Sequence, residues 1–258
     1  MTIFQAAVLG TVQGLAECLP VSSSAHLALT PLLFGWEDQG LAYDVALHMG
    51  TLLALTACFW REWWTLALDG LRRADTDARR LFDGMVVGSV PGAVAGLALE
   101  HKVETVFRAP ARIAVMMGVF GALMWAADKA GRKERAASSV GIGDMLAIGL
   151  AQALAVVPGV SRSGSTLTAG LFLGLTRQDA AKLSFMLAMP ITFGAGVVKL
   201  HKVGPAAYEP AFWVGILVSA AVGFLTIKWL LGYVADKSLA VFAVYRIALA
   251  ALLLAVFH

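Results

Sequence analysis

The chain has 258 residues and a net charge of +3, with 59% hydrophobic and 14% charged residues. Soluble domains contain about 45–50% apolar and about 25% charged residues, so this composition excludes a soluble enzyme with a membrane tail. The basic residues form no long run and no patch interleaved with aromatic side chains, which makes nucleic-acid binding a poor interpretation of the positive charge.

Six apolar stretches are long enough to cross a membrane as helices, which takes about 20 residues. The crossings are predicted at about 43–60, 83–100, 111–128, 180–199, 211–232 and 239–257. Two further apolar regions, 2–35 and 142–175, differ from these because a polar cluster interrupts each of them.

The two interruptions are PVSSSAH at 20–26 and PGVSRSGST at 158–166. Irregular backbone of this kind cannot face lipid, because its polar groups would have no hydrogen-bond partners there. We therefore expect each region to form two helices of about 12–15 residues, too short to cross, arranged as a re-entrant hairpin. The polar tips of both hairpins would lie inside the protein.

The two interrupted regions resemble each other when they are overlaid at a shift of 139 residues. Over positions 9–35, nine of 27 residues are identical, and the most informative pairs are Gln13/Gln152, Val21/Val160, Ser22/Ser161 and Ser24/Ser163. Three crossings separate the regions, and an odd number inverts the second relative to the first. The predicted fold is an all-α integral membrane protein of one domain, 1–258, with inverted repeats at about 1–128 and 140–258.

The distribution of basic residues predicts the orientation in the membrane. Loops 61–82 and 129–143 carry nine of them, namely Arg61, Arg72, Arg73, Arg79, Arg80, Lys129, Arg132, Lys133 and Arg135. Loops 100–111 and 200–210 carry only Lys102, Arg108 and Lys202. The positive-inside rule puts the first pair of loops in the cytoplasm, so both termini and the opening of the first hairpin lie outside.

The first hairpin contains a carboxylate and a histidine at membrane depth. Gln13 and Glu17 are four residues apart and share one face of a helix. An ionised carboxylate at this depth needs a partner or a cavity, so we expect Glu17 to be functional, with a hydrogen bond to the hairpin turn as the alternative. The hydroxyls of Ser22, Ser23 and Ser24 and the imidazole of His26 follow, near a helix N-terminus that favours anions.

The second hairpin supplies a cation. Arg162 lies between Ser161 and Ser163 at the tip, and Thr166 is within reach. A planar guanidinium binds two phosphate oxygens at once, so we expect Arg162 to bind an anion. The alternative is an internal salt bridge to Glu17, which would make the two tips structural partners.

Other residues leave alternatives open. Arg246, a charge in the last crossing, is a functional candidate by default, but it could instead anchor the fold through backbone carbonyls. Asp44 and His48 share a face of the first crossing and are weaker site candidates. Glycines recur every four residues from Gly84 to Gly96, a close-packing face that we assign to internal packing, with a homodimer as the alternative.

The motifs QGLAE (13–17) and PGVSRSGST (158–166) resemble the two signatures of the undecaprenyl-pyrophosphate phosphatase family, the bacitracin-resistance type. The second signature, Pro-Gly-X-Ser-Arg-Ser-X-X-Thr, matches at every fixed position, and the likeness extends over essentially the whole chain. In the first signature, Gln13 stands where many members have glutamate. This weakens any mechanism that needs two carboxylates on a metal ion.

The resemblance implies hydrolysis of the C55 polyprenyl pyrophosphate carrier of cell-wall synthesis, with bacitracin resistance and a requirement for magnesium or calcium. It implies a bacterial cytoplasmic membrane protein, and our orientation places the site toward the periplasm. The implied roles are nucleophile for Ser23, base or proton carrier for His26, metal binding or activation for Glu17 with Gln13, and pyrophosphate binding for Arg162, Ser161 and Thr166. We also expect Ser163, Ser22 and Arg246 to contact the substrate. Inverted repeats with broken helices are also typical of transporters, so a lipid flippase is the alternative function.

Overall fold

The computed structural model describes residues 1–72, 76–199 and 209–257. These residues form ten α-helices and no β-strand, which confirms the predicted all-α class. The helices are α1 (Ile3–Cys18), α2 (Ser23–Phe34), α3 (Gly40–Arg72), α4 (Asp77–Lys102), α5 (Pro110–Ala130), α6 (Ile142–Leu154), α7 (Arg162–Phe172), α8 (Arg177–Lys199), α9 (Pro210–Asp236) and α10 (Ala240–Phe257).

Six helices in the described ranges, α3, α4, α5, α8, α9 and α10, are long and apolar enough to cross a membrane. They contain the six predicted crossings, so this prediction is confirmed. The other four helices are shorter: α1, the longest of them, has 16 residues, or about 24 Å at 1.5 Å per residue. That is less than the thickness of a hydrocarbon core, about 30 Å.

The two predicted interruptions are real but shorter than expected. The first helix ends at Cys18 and α2 begins at Ser23, while the later break runs from the end of α6 to Arg162. Several hydroxyl residues of each motif are therefore helical, because the first turn of a helix tolerates polar side chains near its free N–H groups.

The backbone turns sharply at matching positions in the two breaks. Ser22 has φ 77° and Ser161 has φ 72°, and each is the residue before a helix. A positive φ is rare for any residue other than glycine and costs about 1–3 kcal/mol. That these breaks form re-entrant hairpins, and that the two halves are inverted repeats, stay predictions.

Close packing through glycine joins the short helices to the long ones. Helix α1 packs against α9, and α6 packs against α4. A Cβ atom on Gly10 would lie 2.4 Å from the carbonyl oxygen of Gly215, and one on Gly149 would lie 2.3 Å from that of Gly88. The α4 glycine face therefore packs within the chain at Gly88, as we expected.

An ion pair fixes the start of α6 on the predicted cytoplasmic side. Arg135 donates to the Asp144 carboxylate at 2.7 Å, and the Gly141 N–H donates to it at 3.1 Å, so Asp144 caps its helix. The hydrogen bond from Arg135 holds the pKa of Asp144 below its usual value. Of the basic residues that predict the orientation, Arg73 and Lys202 lie outside the described residues.

Candidate active site

Four side chains converge on the carboxylate of Glu17, which is buried near the end of α1. The Ser23 hydroxyl donates to Oε2. The Arg162 guanidinium donates to Oε1 at 2.7 Å. His48 Nε2 lies 3.2 Å from Oε2, and Gln13 Nε2 lies 3.4 Å from it. The buried carboxylate is thus paired and hydrogen-bonded, as the cost of desolvation requires.

The chain breaks explain why Ser23 and Arg162 meet. Each residue is the first of its helix, and each directly follows a serine with positive φ. The sharp turns at Ser22 and Ser161 therefore bring the N-termini of α2 and α7 to the Glu17 carboxylate, where Ser23 contacts Oε2 and Arg162 contacts Oε1. All of these residues are buried or partly buried, which agrees with the prediction that the polar tips lie inside the protein.

Arg162 has two internal partners. Besides its ion pair with Glu17, it donates from Nη1 to the Ser184 carbonyl oxygen at 3.0 Å. The arginine is thus in the arrangement that we gave as the alternative, a salt bridge between the tips. Its role as an anion ligand stays a prediction, and it requires that substrate oxygens replace at least one of these partners.

The hydroxyls beside Arg162 stabilise the tip. Ser161 accepts the N–H of Gly164 at 3.1 Å and so caps α7. Ser163 donates to the Leu19 carbonyl oxygen at 3.2 Å, a bond that joins the second tip to the first. Both were predicted to bind substrate, and that role stays a prediction.

Two further predicted substrate ligands also form internal bonds. Thr166 donates to the Arg162 carbonyl oxygen at 2.8 Å, and its hydroxyl lies 2.7 Å from that of Ser184. The Ser22 hydroxyl lies 3.3 Å from that of Ser24 and does not cap α2. Substrate binding by Thr166 and Ser22 stays a prediction.

His26 contacts groups other than the predicted nucleophile. Its Nδ1 lies 2.7 Å from the Ser22 carbonyl oxygen, and its Nε2 lies 2.6 Å from the Tyr245 hydroxyl. Both ring nitrogens are therefore occupied, while the hydroxyl of Ser23 donates to Glu17. A catalytic role for His26 stays a prediction, and the geometry favours Glu17 as the group that takes the serine proton.

Arg246 clamps the two breaks together. The residue is fully buried and donates to the carbonyl oxygens of Pro20, at 3.1 Å, and of Gly159 and Val160, both at 2.8 Å. It also donates to the Met117 carbonyl oxygen at 3.4 Å. This is the anchoring role that we gave as the alternative, and the predicted contact with substrate stays untested.

Comparison with known proteins agrees with the motifs. The sequence model of the family described as "Bacitracin resistance protein BacA" matches residues 6–252. The chain belongs to this family. Its relatives include proteins named undecaprenyl-diphosphatase from Moorella thermoacetica, 49% identical over 100% of this chain and 98% of the relative, and from Pelotomaculum thermopropionicum, 49% identical over 96% and 94%. A third, from Desulforudis audaxviator, is 46% identical over 96% and 95%.

The family assignment confirms the resemblance that we drew from QGLAE and PGVSRSGST. The names of these relatives describe a phosphatase, so they do not favour the flippase that we kept as the alternative. With six helices of spanning length in the described ranges, this member of the family is a multi-pass membrane protein.

Sequence reasoning gave too little weight to His48 and overlooked Ser184. The His48 ring is held by Asp44, whose carbonyl oxygen lies 2.6 Å from Nδ1, and it reaches Glu17 from α3. The only sequence signal was the face that His48 shares with Asp44. No sequence signal indicated Ser184, because it lies within the apolar sequence of α8 and contacts the site through its backbone carbonyl and its hydroxyl.

The site contains a donor set that fits a divalent cation only in part. The Gln13 Oε1 atom is buried and has no hydrogen-bond partner among the described residues, so it is free to bind a metal ion. No group of three or more His, Cys, Asp or Glu side chains within those residues could hold a metal ion. Magnesium is often bound by one or two carboxylates together with substrate phosphates, and Gln13 with Glu17 fits that pattern.

Proposed function

We propose that this protein hydrolyses undecaprenyl diphosphate to undecaprenyl phosphate and inorganic phosphate. The observation that carries the proposal is the hydrogen bond from Ser23 to Glu17 beside the Arg162 guanidinium. A nucleophile, its base and a cation for the phosphoryl oxygens thus lie together at the breaks between short helices. The names of the relatives support the same reaction. This returns the lipid carrier to cell-wall synthesis and accounts for resistance to bacitracin.

Ser23 is the nucleophile in this mechanism. Its Oγ attacks the terminal phosphorus while its proton passes to Glu17, since a serine needs a base within hydrogen-bond reach. The bond from that phosphorus to the bridging oxygen breaks, and undecaprenyl phosphate leaves with that oxygen. Water then attacks the phosphorus of the phosphoserine and the bond from that phosphorus to Ser23 Oγ breaks. The proton of Glu17 returns to the serine oxygen, and the product leaves as dihydrogen phosphate with the protons of the water.

Charge stabilisation comes from Arg162 and from two helix N-termini. Phosphoryl transfer depends mainly on positioning and on the neutralisation of oxygen charges. The guanidinium binds Oε1 of the Glu17 carboxylate, whereas Ser23 binds Oε2. The first turns of α2 and α7 add N–H groups and a favourable dipole beside it.

Magnesium or calcium would be held by Gln13 and Glu17 together with oxygens of the pyrophosphate. A bound divalent cation supplies neutralisation of the charge on those oxygens. Since the protein side offers one carboxylate and one free amide oxygen, we propose that metal binding depends on substrate. Five further polar residues shape the pocket around the phosphates, namely His26, Ser22, Ser161, Ser163 and Thr166. Arg246 supports both breaks.

The family resemblance implies which membrane holds the protein, and the predicted orientation implies the side on which the site opens. We assign the protein to the cytoplasmic membrane of a bacterium, with re-entrant hairpins inverted relative to each other and the site accessible from the periplasm. The matching turns at Ser22 and Ser161 support the inverted repeat.

A homodimer has little support from the α4 glycine face, because Gly88 packs against α6 within one chain. Sedimentation in detergent measures the oligomeric state.

The test is phosphate release from undecaprenyl pyrophosphate by purified protein with magnesium or calcium. Ser23→Ala and Arg162→Ala should lower kcat at least about 10³-fold, since each removes a part of the catalytic arrangement. Thr56→Val is the matched control, because this exposed hydroxyl bonds only to the Leu52 carbonyl oxygen of its own helix. Wild-type protein that releases no phosphate with either metal would refute the proposal.

The identity of the nucleophile has its own measurement. With substrate labelled in the terminal phosphate, an acid quench within one turnover should trap label on the wild-type protein and none on Ser23→Ala. If Glu17 activates water directly, no label is trapped on either protein although phosphate is still released.

A further inference from the structure

An apolar cavity of about 340 Å³ lies between α3, α4 and α8, with Val156 of the second break at one edge. Leu41 and Val45 line it from α3, Gly92 and Gly96 from α4, and Ile191 from α8. Its lining is almost wholly hydrocarbon, so the cavity suits an apolar chain better than a polar ligand.

Two of the helices that line the cavity also contact the polar site. On α3, Val45 is three residues from His48, which contacts Glu17, and the two share a face of the helix. On α8, Ile191 is seven residues, or about 10 Å, from Ser184, and again shares its face. Ser184 binds Arg162. The same faces therefore contact the carboxylate and arginine at one end and line the cavity at the other.

We propose that this cavity binds the part of the polyprenyl chain next to the pyrophosphate of the substrate. The inference rests on the proposed function, because it takes the pyrophosphate to lie between Glu17 and Arg162. The hydrocarbon attached to that group must leave the polar site along an apolar surface. Two apolar pockets among the described residues border helices of the site, and this cavity is the larger. The other, of about 220 Å³, lies between α2 and α10 with His26 in its lining, and it is the alternative path if the cavity variants bind substrate normally. Binding of the chain there would fix the phosphate relative to Ser23.

Two glycines in the lining allow the cavity to be filled without disturbing the fold. A Cβ atom on Gly96 or Gly194 would meet nothing within 4 Å, so a larger side chain extends into free space. Replacement of glycine within a helix also raises helix propensity. Gly232→Leu in α9 is the matched control, since a Cβ there also meets nothing within 4 Å and the residue does not line the cavity.

The experiment compares Gly96→Leu, Gly194→Leu and Gly232→Leu with wild type. The two cavity variants should raise KM for undecaprenyl pyrophosphate about 10-fold or more, whereas Gly232→Leu should leave it within about twofold. Inorganic pyrophosphate, which lacks the chain, should inhibit all four proteins with similar inhibition constants. A second measurement is the rise in Tm on adding undecaprenyl phosphate, which the cavity variants should lose.

Unchanged KM and unchanged thermal stabilisation in the cavity variants would overturn the inference. The cavity would then be a binding site for bilayer lipid. An equal rise in KM for Gly232→Leu would overturn it as well, because the effect would not depend on the cavity. Failure of the proposed function looks different, as wild type would then release no phosphate. The thermal measurement still decides whether the cavity binds a polyprenyl chain in that case.

Discussion

At the scale of single residues, the position of the Glu17 carboxylate depends on donors from three parts of the chain. Gln13 and Ser23 lie on either side of the first break, in α1 and α2, whereas Arg162 and His48 belong to α7 and α3. The His48 ring lies between two oxygen acceptors, the Asp44 carbonyl and Glu17, and each ring nitrogen faces one of them. We therefore expect His48 to be a positioning residue that holds the carboxylate against Ser23.

His48→Leu should lower kcat about 10- to 100-fold and leave KM within about twofold, because it removes a hydrogen bond to the base but no contact with substrate. His48→Gln should regain most of the activity, since its amide supplies an N–H to the carboxylate. Steady-state kinetics of both variants test this, with Thr56→Val in the same helix as control. A loss that appears in KM alone, or no rescue by glutamine, would contradict the positioning role.

The sequence predicted the residues of the site that belong to its two motifs. Glu17 and Arg162 stood out because charges at membrane depth need partners, and the hydroxyl cluster of Ser22, Ser23 and Ser24 because it lies near a helix N-terminus. Only the family resemblance singled out Ser23 within that cluster. The contacts of His48 and Ser184 could not be predicted, since they depend on how α3 and α8 pack against the breaks. For the same reason, sequence reasoning left open whether Arg246 binds substrate or backbone.

At the scale of helices, Arg246 of α10 connects the break before α2 with the break before α7. Its guanidinium donates to Pro20 in the first and to Gly159 and Val160 in the second. Carbonyl oxygens of broken helices would otherwise be buried without donors, which costs about 1–3 kcal/mol for each group. One side chain therefore allows both irregular segments to exist inside the protein.

Arg246→Lys should destabilise the protein strongly, because a single ammonium cannot reproduce the planar fork that reaches several carbonyls. Each buried carbonyl oxygen that loses its donor costs about 1–3 kcal/mol. Thermal unfolding in detergent should show a lower Tm than for wild type, and kcat should fall because Ser23 and Arg162 lose their alignment. Arg112→Lys is a control, since Arg112 bonds one carbonyl oxygen at the surface. Equal Tm values for Arg246→Lys and wild type would refute the clamp.

Hydrophobic length and polar interruptions were enough to predict the helices of this fold. The interruption predicted at 20–26 was nevertheless longer than the observed one, because α2 already begins at Ser23. Pattern alone does not say where a helix resumes, since that depends on the sharp turn at Ser22. The packing of Gly149 on Gly88 was likewise beyond prediction, although the glycine periodicity indicated a close-packing face.

At the scale of the whole molecule, the orientation can be tested through exposed positions on opposite sides. Glu37 lies between α2 and α3, and Arg132 lies between α5 and α6, and both are exposed. A membrane-impermeant maleimide applied to right-side-out vesicles should label Glu37→Cys at once, and Arg132→Cys only after permeabilisation. Both changes are made in a Cys58→Ser background, because Cys58 is partly exposed and Cys18 is buried. The reverse pattern would invert the topology.

The ion pair between Glu17 and Arg162 has a consequence for the reaction cycle. Between turnovers each charge already has a partner, so the site does not present an exposed cation that retains any passing anion. If Arg162 binds the substrate as we propose, a pyrophosphate has to displace the carboxylate, and breaking the ion pair offsets part of the attraction between the pyrophosphate and the arginine. When phosphate departs, the carboxylate returns. In the proposed mechanism the same contact therefore weakens the retention of phosphate, which raises turnover and lowers the affinity for substrate.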